Sequence, residues 1–268
     1  MWALSLQQAK RVVIKIGSST LTYENGKPNL RRIELICRIV ADLKNRGVEV
    51  VLVSSGAIAV GVGRLGLKAR PSDTRGKQAA AAVGQSDLVA LYDRFLSEYG
   101  YVGAQVLLTR DVVEQPDRKE NVINTFDALL EFGAVPVVNE NDTVSIEELV
   151  FGDNDHLSAV VAMLTGADAL LILTDTDGLY DCDPKTHPEA KRIPVVENIT
   201  SAMLDGAGGA GTSRGTGGMR SKLEAVRLAT ENGIDAVILS GEEPRRIYHL
   251  FDGESVGTYF KAKGRAIS

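Results

Sequence analysis

At 268 residues, 44% of them hydrophobic and 24% charged, the chain is long enough for one large α/β domain or two small ones around a substantial core. A net charge of -5 and a pI near 5.4 offer no basic surface to nucleic acid or to an anionic membrane. No run of about 18 apolar residues and no N-terminal basic, then apolar, then small-residue signal is present, so a cytoplasmic protein without a membrane partner is expected.

Short β-branched runs alternate with stretches of helical period along the whole chain. The first strand is predicted at 11–16 (RVVIKI), followed by GSST, and a helix at 29–46 places Leu30, Ile33, Ile36, Cys37, Val40 and Leu43 on one face, with Gly47 as its stop. A strand at 48–53 (VEVVLV) leads into SSGA, and a helix follows at 75–99. Further strands are predicted at 104–109, ending in RD, and at 134–139, ending in ENDT, with a helix at 119–132 between them. A helix at 155–166, with Asp153 as a candidate N-cap, precedes the strand at 169–174, which runs into DTDGLYDCDP. A helix at 218–233 and a strand at 235–240 ending in GEEP complete the pattern. Such βα alternation predicts a mainly parallel sheet with its ligands outside the carboxyl ends of the strands, where the small, acidic and hydroxyl residues gather.

Two stretches fit the dinucleotide pattern G-x-G-x-x-G without its context. GVGRLG (61–66) begins about eight residues past a strand, and GAGGAG (206–211) has no apolar strand before it. RGTGGMRSK (214–222) is not a Walker loop, because Lys222 stands four residues after Gly218 and is followed by Leu223. Glycine N–H groups, a helix N-terminus and a lysine still suit a nucleotide phosphate. Seven glycines between Gly206 and Gly218 predict a segment that nucleotide binding orders.

Lys15 interrupts an apolar strand, which is costly unless the lysine snorkels from an edge or meets an anion. NENDT (139–143) and GDND (152–155) put two acidic clusters on consecutive ligand-side loops. Turn formation and capping explain one such residue, and a site for a cationic group or Mg²⁺ explains the set. Two cysteines, Cys37 and Cys182, and three scattered histidines have no metal-ligand spacing.

Taken in order, VVIKIGSSTLT, VSSGAIAVG, AAVGQSDL, VGAQVLLTRDV, PVVNENDTV, FGDNDHLSA, LILTDTDGLYDCDP and GTGGMRSKLEA resemble the glutamate 5-kinases of the amino-acid kinase family over residues 11–240. The resemblance implies a three-layer αβα sandwich with an open, mostly parallel sheet. It implies one kinase domain over 1–268, without the C-terminal PUA-type domain that many members carry. The implied reaction moves the γ-phosphoryl group of ATP, with Mg²⁺, onto the side-chain carboxylate of L-glutamate, giving L-glutamyl 5-phosphate in the first step of proline biosynthesis. Lys15 and Lys222 would flank the transferring group, with Asp155 holding both. Ser55, Asp142, Asp153 and Asn154 would bind glutamate. Lys15, Thr174, Asp175, Thr216, Gly217, Gly218, Met219 and Lys222 would hold the nucleotide. A homo-oligomer, dimer or tetramer, is implied too, and inhibition by proline is left open. An acetylglutamate or aspartate kinase and a non-catalytic amino-acid sensor are the alternatives. The acidic loops, suited to a free ammonium group, disfavour an acetylglutamate kinase, and retention of both lysines disfavours the sensor.

Overall fold

The structure, a computed structural model, describes residues 6–144, 153–184, 186–207 and 218–264. In chain order the elements are β1 (Arg11–Ile16), α1 (Ser18–Leu21), α2 (Leu30–Asn45), β2 (Glu49–Ser54), α3 (Ala57–Arg64), α4 (Thr74–Ser97), β3 (Gly103–Leu108), α5 (Asp111–Glu114), α6 (Pro116–Glu131), β4 (Val135–Glu140), α7 (Asn154–Leu164), β5 (Ala169–Thr174), β6 (Val195–Val196), α8 (Ser201–Gly206), α9 (Met219–Glu231), β7 (Asp235–Ser240), α10 (Arg246–Phe251) and β8 (Thr258–Phe260). The strands form one sheet in the order β3-β4-β2-β1-β5-β7-β8-β6. Its first six members run parallel, β8 is antiparallel to β7, and β6 pairs parallel with β8.

Helices cover both faces, which explains why the central strands read as unbroken apolar runs rather than alternating ones. On one face Val13, Val51, Leu170 and Ile172 pack with Phe126 of α6, Leu157 of α7 and Val226 of α9. On the other, Ile14, Ile16, Leu52 and Leu171 meet Ile33 and Ile36 of α2, Tyr92 of α4 and Leu250 of α10. The expected αβα sandwich is therefore what the chain builds.

The six long strands and five long helices fall within three residues of their predicted ends. Asn29 caps α2 by accepting from Arg32 N at 3.2 Å, and Asp153 caps α7 by accepting from His156 N at 2.9 Å. Leu30, expected on the apolar face of α2, opens the helix instead and is 51% exposed. Cys37 is fully buried in that helix, and burial, with the Glu34 carboxylate nearby, pushes its thiol up to about 12. A buried, protonated thiol is inert packing.

GVGRLG runs through the last turn of α3 and its Leu65 C-cap, so it does not open a helix after a strand as the dinucleotide pattern requires. A Cβ on Gly61 would lie 1.8 Å from the carbonyl oxygen of Ala80, and one on Gly84 would lie 1.8 Å from that of Ala57. The spacing serves the close crossing of α3 and α4, where backbone meets backbone and no side chain fits.

Candidate active site

β1 lies between β2 and β5, and chain order departs in opposite directions from that point. The carboxyl ends of β1 and β5 therefore border the crevice where parallel sheets bind ligands. Lys15 stands in register with Val53 of β2 and Ile172 of β5. It is 6% exposed and interior to the sheet, so the edge or snorkelling reading is excluded. Strand alternation turns Lys15 to the same face as Val13, toward α7 and α9.

There it meets Asp155, in the first turn of α7 and 1% exposed. Lys15 Nζ lies 2.5 Å from Asp155 Oδ1, and Lys222 Nζ, reaching in from α9, lies 3.1 Å from Asp155 Oδ2. Burial pushes the Asp155 carboxyl up, but the two ammonium groups more than offset it and hold the group below the usual carboxylate range. The cluster thus gathers two lysine side chains at one buried carboxylate. Ser221, one residue before Lys222, directs its single hydroxyl proton between the Asp153 carboxylate and Asp155 Oδ2, the latter 3.0 Å away. Both oxygens of Asp153 are thus engaged within the protein, one by the helix cap and one by Ser221.

Next to this charged cluster lies a neutral one. Asn154 Nδ2 donates toward Ser54 O at 3.0 Å, Ser55 Oγ at 3.1 Å and Asn139 Oδ1 at 2.7 Å. Asn139 Nδ2 in turn donates to Gln85 Oε1 at 2.8 Å, and Ser54 Oγ is 3.0 Å from the fully buried Tyr92 hydroxyl. Ser55 and Asn154, predicted as neighbours in function, are neighbours in space. Sequence reading did not single out Gln85, Ser54, Tyr92 or Ser221. The one signal for Gln85 was an amide in the alanine-rich AAAAVGQSDL of α4.

Asp142 follows β4, where Asn141 N bonds Leu108 O at 2.8 Å. Burial raises its carboxyl above the usual range, against the opposing pull of the Arg70 guanidinium. Thr174 ends β5, its hydroxyl 3.1 Å from Asp175 Oδ1 and its carbonyl accepting from Gly241 N at 2.6 Å. Gly218 is the N-cap residue of α9 and Met219 its first residue, and among the described residues no side chain caps that terminus. Thr216 and Gly217 lie outside the described residues, as does most of the glycine-rich segment 206–218.

Among the described residues no group of three or more His, Cys, Asp or Glu side chains could hold a metal ion. A protein-built Mg²⁺ cage does not fit this donor set. An ion arriving on nucleotide phosphates, its coordination filled by phosphate oxygens and water, does not require one.

Residues 10–240 match the amino acid kinase family. The chain is 54% identical over 263 residues to a glutamate 5-kinase of Clostridium perfringens, covering 97% of this chain and 98% of that one. It is 48% identical to a glutamate 5-kinase of Listeria monocytogenes, covering 98% and 97%. It is also 48% identical to that of a Thermoanaerobacter species, of which it spans 69%. Among solved structures, a T. acidophilum isopentenyl phosphate kinase superposes with a TM-score of 0.64 at 18% identity, covering 94% of this chain and 100% of that one. A Bacillus anthracis UMP kinase does so with a TM-score of 0.64 at 18% identity, covering 97% and 99%. These two establish the fold alone, whereas the family match and the close relatives go further: the chain belongs to the amino acid kinase family, among its glutamate 5-kinases.

Proposed function

We propose that this site transfers the γ-phosphoryl group of ATP to the side-chain carboxylate of L-glutamate, forming L-glutamyl 5-phosphate. The observation that carries the reading is the pair of buried lysines tied to one buried carboxylate at the switch point of the sheet. Phosphoryl transfer asks for positioning and for neutralisation of charge on the moving group, more than for proton chemistry. Lys15 and Lys222 supply preorganised donors, and Asp155 fixes the distance between them. The acceptor carboxylate, with an ordinary pKa of about 4.3, is already ionised at neutral pH, so no general base is needed. Mg²⁺ bound to the nucleotide adds charge neutralisation when present.

The substrate side fits the same reading. Asn154 and Asp142 offer acceptors to an α-ammonium group, and the names of the close relatives point to the same amino acid. Thr174 at the end of β5, Asp175 after it and the start of α9 would hold the nucleotide. The test compares ADP release with L-glutamate, L-aspartate and N-acetyl-L-glutamate, with hydroxylamine present to trap acyl phosphate. The expected result is a strong preference for free L-glutamate, with hydroxamate formed only when MgATP is supplied. Equal or better turnover of N-acetylglutamate overturns the proposal.

A further inference from the structure

The side-chain amide of Asn154 is oriented by an atom that can act in one sense only. The Ser54 main-chain carbonyl accepts and never donates, so the Asn154 atom 3.0 Å from it is the nitrogen. That nitrogen carries two hydrogens and faces three acceptors, Ser54 O, Ser55 Oγ and Asn139 Oδ1, so its donor capacity is used up. Asn154 Oδ1 has no hydrogen-bond partner among the described residues and remains for a ligand. The sense then passes along the chain of amides. Asn139 turns its oxygen to Asn154 and so must turn its own nitrogen away, to Gln85 Oε1 at 2.8 Å. Gln85 comes from α4, 54 positions earlier in the sequence, and is 9% exposed, while Asn139 is 3% exposed.

We infer that Gln85 is a positioning residue: by accepting from Asn139 it fixes the direction of the Gln85–Asn139–Asn154 relay, so that the cleft is offered an acceptor at Asn154 Oδ1, matched to the ammonium end of the amino-acid substrate. Without that acceptor the Asn139 amide can turn over. Its nitrogen would then face the Asn154 nitrogen, donor against donor, and Asn154 would be displaced or turned. The inference rests on the proposed glutamate kinase reading for the identity of the ligand, not for the geometry.

The experiment compares Gln85→Met, which fills the space with no effective acceptor, with Gln85→Glu, which keeps an oxygen facing Asn139. For Gln85→Met the KM for glutamate is expected to rise about fivefold or more, with kcat and the KM for ATP within about twofold, since the contact is shared by ground and transition states. Gln85→Glu is expected to restore a glutamate KM within about twofold of the parent. A purely structural role would not give this rescue or leave kcat in place. Should Gln85→Met not accumulate as folded protein, Gln85→Leu carries the same expectation. An unchanged glutamate KM in the acceptor-free variant, or an equal rise in Gln85→Glu, overturns the inference. Calorimetric titration with glutamate alone separates the two readings. A parent that binds glutamate without phosphorylating it defeats the kinase reading and leaves this comparison in force, with Kd in place of KM. A parent that neither binds nor phosphorylates glutamate defeats both.

Discussion

The two halves of the cleft are built from opposite materials. At the end proposed for phosphoryl transfer, Lys15, Asp155 and Lys222 form a buried ionic cluster held by distances of 2.5 and 3.1 Å. At the end proposed for the substrate, Asn154, Asn139 and Gln85 form a neutral relay with separations of 2.7 and 2.8 Å. An ionic cluster acts by sign and proximity and tolerates some angular error, so it suits charge that moves during reaction. An amide relay carries no net charge and acts by direction, so it suits a ligand group that stays in place. Both halves start from one turn, because Asp155 and Asn154 are adjacent at the N-terminus of α7, which Asp153 caps.

The largest predicted effect comes from Asp155→Asn, which removes the charge that both lysines share. Two buried ammonium groups then lose the carboxylate they share, at a cost of about 3–5 kcal/mol. kcat is expected to fall at least about 10³-fold, since both donors lose their common anchor. A melting curve and steady-state kinetics check this, and a kcat within tenfold of the parent would show that the lysines position themselves. The parent also carries an acid signature. A carboxyl whose folded pKa lies below its ordinary 3.8 stabilises the protein above that pH, and loses this contribution as pH falls through the folded value. Urea midpoints measured below about pH 4 should therefore drop more steeply for the parent than for Asp155→Asn.

A smaller effect is expected for the lysines taken singly. Lys222→Ala and Lys15→Ala should each lower kcat by roughly 10², the scale of one preorganised donor. Lys222→Ala leaves the Lys15–Asp155 pair electrically balanced, so its melting temperature should move little. A normal kcat in that variant would make α9 a structural element and break the contrast between the two halves. The smallest effect belongs to the substrate side. Asp142→Ala should raise the glutamate KM at least about tenfold, or ~1.4 kcal/mol, with the KM for ATP nearly unchanged. Because burial raises the Asp142 carboxyl, against the pull of Arg70, the parent's glutamate KM should climb as pH falls through that raised value. The climb should be absent in Asp142→Asn, and its persistence there would assign the titration to another group.

The six long strands could be read from sequence because each is a short run rich in apolar and β-branched residues, unbroken in the doubly buried ALLILT. β6 and β8, two and three residues long, carry too little periodicity to register, and so the antiparallel turn at that side of the sheet went unseen. Lys15 stood out because a charge inside an apolar run demands an explanation. Lys222 and Asp155 were visible in RGTGGMRSK and GDND, and the resemblance joined them to Lys15, which no local spacing does. Gln85 stayed hidden for the opposite reason. A neutral amide on a helix of mixed polarity is unremarkable until folding brings it to Asn139.

The close crossing of α3 and α4 gives the relay its datum. Gly84 seats against the Ala57 carbonyl, and the next residue is Gln85, so helix-to-helix contact sets how far Gln85 reaches toward Asn139. A methyl group at position 84 would act as a wedge, lifting α4 and lengthening the relay from behind. Substrate affinity in this molecule is thus adjustable from a point that no substrate touches, and protein engineers could treat Gly84 as a set-screw for the cleft.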